Sequence, residues 1–202
     1  MNEQQRQRIV ARHRDALLRH GLQPAALYWS SREIQETRFR VLAEIGLASG
    51  CSVLDVGCGF GDLARYLAHQ GLEFDYTGID LSPDLIQAGR GHDPRLTLLE
   101  GDIFDLPAEP ERYDYVLLSG ALNENLADQG AYAFAVIERM FELCRVGVAF
   151  NLLDARNAWI ASRPDLQSHQ PDTVLAFCRG LTAHCQLRDD YLDNDFTVYL
   201  RR

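Results

Sequence analysis

The run "SVLDVGCGFGDLARYL" (residues 52–67) crowds Gly57, Gly59 and Gly61 into the bend between an apolar and an amphipathic stretch, with Asp55 just before it and Asp62 just after. Glycine lets a backbone turn sharply and lets a ligand come close, so this bend is a candidate nucleotide-type site; a purely structural strand-to-helix bend is the plainer reading. The G-x-G-x-x-G dinucleotide fingerprint wants a small residue where Asp62 stands, and a carboxylate at that helix N-terminus would repel a pyrophosphate. A G-x-G-x-G spacing preceded by Asp55 suits instead a ligand without phosphate and with positive charge. Roughly 20 residues on, Asp80 ends the next apolar run, the position from which a carboxylate takes both hydroxyls of a ribose. Asp102 in "LEGDIFDLP" follows the third run, where it is placed to accept from an adenine amino group. Together these residues imply an adenosine attached to something cationic.

Such groups meet only if a particular set of elements carries them. Short apolar runs at residues 53–56, 76–79, 96–99, 113–118 and 146–153 alternate with helical patterns at 62–69, 83–89, 129–144 and 171–180. This alternation predicts βαβ units, hence a doubly wound α/β fold with a mostly parallel, seven-stranded sheet and helices on both faces. Residues 183–188 and 196–200, joined by "DDYLDND", read as a C-terminal antiparallel hairpin. Two helices precede the sheet: residues 3–20, ended by Gly21, and a second running from a Ser30–Glu33 capping box to about Ile45. The expected organisation is one compact domain, with residues 1–48 a helical lid and residues 49–202 the ligand-binding body. In a doubly wound sheet the ligand lies beyond the carboxyl ends of the strands, which is where the glycine bend falls.

At 202 residues and 47% hydrophobic, the chain is long enough for one sizeable core. Its net charge of −9 argues against a surface built to neutralise nucleic-acid phosphates or anionic lipid. All basic residues are arginine; the absence of lysine excludes Schiff-base chemistry and a P-loop lysine. Five cysteines without a CxxC pair suit reduced thiols, and neither a metal site nor a membrane span is expected. A cytoplasmic protein is the expectation.

At this point the residues resemble the class I S-adenosylmethionine-dependent methyltransferases. "VLDVGCGFGDL" is similar to their first motif, "YTGIDLSPDLIQ" to the ribose-binding second strand, "EGDIFDLP" to the adenine-binding stretch and "RYDYVLLSGALN" to the fourth strand with its active-site edge. The resemblance covers about residues 53–153. It implies S-adenosylmethionine as cofactor, with S-adenosylhomocysteine as product. Asp55, Gly57, Gly59 and Gly61 would hold the methionine part, Asp80 and Leu81 the ribose, and Asp102 with the backbone at Ile103 the adenine; Ser119 would lie beside the reactive methyl. "SGALN" departs from the [DNS]-P-P-[YF] of many enzymes that methylate nucleic-acid or glutamine amino groups, so the expected acceptor is a small molecule, with no nucleic-acid or membrane partner. The chain is expected to be a monomer or homodimer.

A sulfonium methyl is already electrophilic, so the protein mainly has to hold the acceptor in line and exclude water; the sequence names no general base. Acceptor-side candidates are Asn123 and Asn151, at the ends of the fourth and fifth strands, and Tyr28 and Trp29, an aromatic pair that is either a lid or a plug for the core. Arg38 puts a cation on the inward stripe of the second helix, which calls for an anionic partner: the methionine carboxylate of the cofactor, or a core carboxylate. His13, His20 and His184 read as packing residues and Asp114 as a loop brace. Transfer of another group from the sulfonium, such as aminopropyl, and a non-catalytic cofactor-binding accessory protein are the competing functions; a NAD-dependent oxidoreductase is disfavoured by Asp62.

Overall fold

The computed structural model describes all 202 residues. Eight strands form one sheet: β1 (Cys51–Val56), β2 (Phe74–Asp80), β3 (Thr97–Glu100), β4 (Tyr113–Ser119), β5 (Cys144–Asp154), β6 (Ser168–His169), β7 (His184–Arg188) and β8 (Asp195–Arg201). The order is β3-β2-β1-β4-β5-β8-β7, with the two-residue β6 added beside the end of β5. β1 to β6 pair in parallel, while β8 runs antiparallel to both β5 and β7. The expected seven-stranded path and terminal hairpin are therefore present. The switch point lies between β1 and β4, where the crossovers leave in opposite directions.

The helices are α1 (Glu3–His20), α2 (Arg32–Ala43), α3 (Asp62–His69), α4 (Pro83–His92), α5 (Ala131–Leu143), α6 (Ala158–Ala161) and α7 (Pro171–Leu181). Asn2 and Gln5 form a capping box that starts α1, and Ser31, not Ser30, caps α2 by accepting from the Ile34 amide. Only Ser30 carries the capping-box spacing, to Glu33, but Ser31 has the extended backbone of an N-cap and its hydroxyl does the capping.

One face of the sheet packs α5 and α7 into a core around Leu54, Val116, Ile137, Phe150 and Val198. The other buries Phe39, Val41, Leu42 and Ile45 against Val53, Leu63, Leu117 and Tyr199. α2 is thus part of the layered core, and only α1 with the short 3-10 turn Pro24–Leu27 lies across the carboxyl edge. Polar ties fasten α1 there: Gln5 Nε2 donates to the Leu126 carbonyl at 2.7 Å, Arg6 pairs with Asp105 at 3.2 Å, and Arg8 and Arg12 both pair with Glu124.

Candidate functional site

A cavity of about 520 Å³ runs along the carboxyl ends of the strands under α1. Gly57, Asp80, Leu81, Asp102, Ile103 and Ser119 line it, as do Tyr28, Trp29, Arg38 and Asn123. Asp55, Gly59, Gly61 and Asn151 do not.

The glycine bend is built onto the adjacent strand. The amides of Gly57 and Cys58 both donate to the Ile79 carbonyl, at 2.8 and 3.1 Å, and Gly59 N donates to Asp80 Oδ2 at 2.9 Å. Gly57 has a φ of +71°, and a Cβ there would meet the Ala121 side chain at 2.2 Å, so only glycine fits. Gly59 and Gly61 serve packing: a Cβ would strike Leu27 at 2.9 Å and Leu96 at 2.6 Å respectively. They stand outside the cavity lining and let the 3-10 turn and β3 approach the bend.

Asp80 is braced by a second amide, that of Ser82, at 2.9 Å. A carboxylate offers about four lone-pair positions, so these two bonds leave capacity for ligand hydroxyls. Burial raises the Asp80 carboxyl above its ordinary value, opposed by the Ser82 amide, by His13 and by the Gly59 amide. Asp102 accepts from Phe104 N and, at 2.6 Å, from the Tyr132 hydroxyl, which fixes it on the wall near the start of α5.

Asp55 departs from the expectation. Its carboxylate is buried away from the cavity and accepts from the Tyr76 hydroxyl at 2.7 Å, and burial pushes its pKa to about 7. Strand alternation explains it: Val56 and Asp55 face opposite sides of β1, and Val56 is the one on the cavity. Asp62 is likewise turned inward, accepting from Gln35 Nε2 at 2.9 Å and pairing with Arg65. It never meets the ligand space, so its argument against a pyrophosphate falls away.

Arg38 takes the second of its two readings. Nε donates to Asp195 Oδ2 at 2.6 Å, Nη2 bonds the same oxygen, and the guanidinium lies 4.5 Å from the centre of the Trp29 ring. Asp195 begins β8, beside the end of β5, so this cation sits away from the β1–β2 bend. Asn151 is a fully buried brace: Oδ1 accepts from Gly120 N at 2.9 Å and Nδ2 donates to Ser119 Oγ at 3.2 Å, across the register that pairs Ser119 with Asn151. It orients the β4 edge and touches no cavity space.

Trp29 lies against Gly120, whose Cβ, if present, would be 2.5 Å from the indole. Asn123 lines the cavity with Oδ1 shielded from solvent and without a partner. Asp114 braces Ser52 and Arg145. His13 is the residue that pattern reading set aside: it lines the cavity, packs edge-on to Tyr28, and its buried Nδ1 has no partner. The signal was available in its inward register, but a histidine on an apolar helix stripe does not reveal what it faces.

A model described as a methyltransferase domain matches residues 53–147. A protein of Mycobacterium tuberculosis that bears a methyltransferase name is 28% identical over 169 residues, 78% of this chain and 97% of that protein. A demethylmenaquinone methyltransferase of Staphylococcus aureus is 34% identical over 89 residues, 42% of this chain; the match spans only 37% of that enzyme. Among solved structures, magnesium protoporphyrin IX methyltransferase from Synechocystis, with bound S-adenosylmethionine, superposes with a TM-score of 0.63 at 18% identity. The match covers 84% of this chain and 79% of that one, and it establishes the shared fold.

Proposed function

We propose that the chain is a class I S-adenosylmethionine-dependent methyltransferase that moves the methyl group of S-adenosylmethionine onto a small-molecule acceptor held in the same cavity. The observation that carries this reading is Asp80: a carboxylate at the end of β2, on the cavity wall, bonded to the glycine bend and with lone pairs to spare. Three lining carboxylates, Asp80, Asp102 and Asp128, have no ion-pair partner, which fits a cationic adenosyl ligand and opposes a pyrophosphate. The positive charge of the ligand thus rests on Asp80, Asp102 and Asp128, and no longer on Asp55 and Asp62.

When bound, the cofactor supplies a methyl carbon already activated by its sulfonium. In our reading Asp80 and Leu81 hold the ribose, Asp102 and the Ile103 amide hold the adenine, and Gly57 gives the methionine part room to approach. Ser119, fixed by Asn151, borders the transferred methyl. An acceptor lone pair held in line with the carbon–sulfur bond of the bound cofactor would take its methyl, the electron pair of that bond would stay on sulfur as S-adenosylhomocysteine, and a neutral acceptor would release its proton to solvent. α1 and the turn before α2 cover the cavity and keep water, a competing acceptor, away from it. Positioning of this kind supplies several kcal/mol without an acid or base.

The experiment is incubation of the protein with S-adenosylmethionine labelled in its methyl group and small-molecule extracts, with S-adenosylhomocysteine quantified in parallel. Label entering a small molecule, with S-adenosylhomocysteine formed in equal amount, is the expected result. Methylthioadenosine instead would mean transfer of the aminocarboxypropyl arm, decarboxylated S-adenosylmethionine offered in parallel would reveal aminopropyl transfer by the same product, and cofactor binding without turnover across extracts would favour an accessory role.

A further inference from the structure

The charged side chains that line the cavity divide by pairing. Asp80 at the end of β2, Asp102 after β3 and Asp128 just before α5 are unpaired carboxylates, whereas the three lining arginines are each already neutralised. Arg12 pairs with Glu124, Arg38 with Asp195, and Arg163 with Asp165 at 2.6 Å. Each of these arginines also stacks on an aromatic ring of the same cavity: Arg12 at 4.8 Å from the Tyr28 centroid, Arg38 at 4.5 Å from Trp29 and Arg163 at 5.2 Å from Trp159. The result is three carboxylate–guanidinium–aromatic stacks around one end of the site. Trp159 is 61% exposed and Tyr28 52%, so neither is held there by core packing.

From this arrangement we infer that the methyl acceptor is an uncharged, planar molecule bearing a hydroxyl, bound against these rings with the hydroxyl on the Asn123 carboxamide. This rests on the methyltransferase reading above. An anionic acceptor finds no free guanidinium, because each of the three lining arginines is spent on a carboxylate, and it is repelled by the unpaired Asp80, Asp102 and Asp128. A cationic acceptor on the open face of these rings shares each of them with a guanidinium on the other face, which weakens its cation–π attraction. An aromatic or conjugated plane gains ring-on-ring contact with no charge to desolvate. Asn123 Oδ1, buried and unpartnered, needs a donor from the ligand. A hydroxyl both donates and accepts, and so satisfies the carboxamide from either of its ends.

The chain's only two tryptophans, Trp29 and Trp159, both line this cavity, so their fluorescence reads its occupancy directly. With S-adenosylhomocysteine bound, para-hydroxybenzamide, para-hydroxybenzoate, tyramine and benzamide are titrated in turn. The neutral phenol is expected to bind at least about tenfold more tightly than its anionic or cationic counterpart. It should exceed benzamide by about fivefold, and Asn123→Leu should abolish that last difference while leaving benzamide affinity in place. A charged probe bound best, a hydroxyl preference that survives Asn123→Leu, or no binding of any probe by protein that holds S-adenosylhomocysteine overturns the inference. Failure to hold S-adenosylhomocysteine at all would instead overturn the methyltransferase reading.

Discussion

Arg38→Met separates a fold brace from a cofactor ligand. In the native protein the Asp195 carboxylate is buried and ionises beside Arg38, yet burial still outweighs that cation and pushes its pKa from 3.8 to about 6. Each pKa unit is worth about 1.36 kcal/mol, so the ionised, paired form costs on the order of 3 kcal/mol relative to the unfolded chain. Without Arg38 the carboxyl has to stay protonated, and at about pH 7.5, against an ordinary value of 3.8, that costs about 5 kcal/mol. The difference of about 2 kcal/mol, with about 1 kcal/mol for the lost stacking on Trp29, gives a loss of roughly 3 kcal/mol. At about pH 5 both proteins hold Asp195 largely protonated, and the deficit should shrink to about 1 kcal/mol. The sign follows from a raised carboxyl pKa: wild-type stability from this residue is full below the unfolded value and is lost as pH rises through about 6. Equilibrium urea unfolding at the two pH values measures this, and Arg38→Met with Asp195→Leu should recover most of the loss. Cofactor affinity of the folded variant should stay within about twofold of wild type, below the value of one hydrogen bond. A variant of unchanged stability that loses S-adenosylmethionine but keeps adenosine would refute the reasoning and return Arg38 to the cofactor carboxylate.

Asp55→Asn keeps an acceptor for the Tyr76 hydroxyl and removes a buried carboxyl whose pKa is about 7; unfolding curves should show it stabilised by up to about 4 kcal/mol near pH 8, the gain fading toward pH 4. Gly120→Ala places a Cβ 2.5 Å from the Trp29 ring at a φ of +73°; a thermal melt should register a loss of about 1–3 kcal/mol, with a shifted tryptophan emission as Trp29 moves. His13→Ala should weaken S-adenosylmethionine by about fivefold in calorimetry with little change in melting temperature, and His13→Asn, which keeps a polar atom near the Nδ1 position, should restore part of it.

The layer order was legible because the apolar runs and the helical stripes differ in period, and α3 falls on its expected residues, 62–69. The cavity lining was legible where backbone position alone decides: Gly57, Asp80, Asp102 and Ser119 stand at or just past strand ends, and a strand end points to the crevice whatever its side chain does. It was not legible where side-chain direction decides. Asp55 and Val56 are neighbours, and the pleat sends one to Tyr76 and the other to the cavity. Arg38 and Asp195 are separated by 157 positions, a pairing that no local spacing encodes. The stack of Arg163 on Trp159 depends on α6, a four-residue helix whose short pattern gives no periodic signal.

The central claim is that Asp80 holds the ribose of an adenosyl sulfonium cofactor at the glycine bend. Calorimetric titration of S-adenosylmethionine into wild type and Asp80→Ala tests it most directly, with NAD and ATP as controls. Saturable one-site binding of S-adenosylmethionine to wild type is expected, with no comparable binding of the phosphate-bearing controls and a loss in the variant of roughly tenfold or more, the value of hydrogen bonds to a charged group. Tighter binding of NAD, or an Asp80→Ala protein that binds S-adenosylmethionine as wild type does, would contradict it.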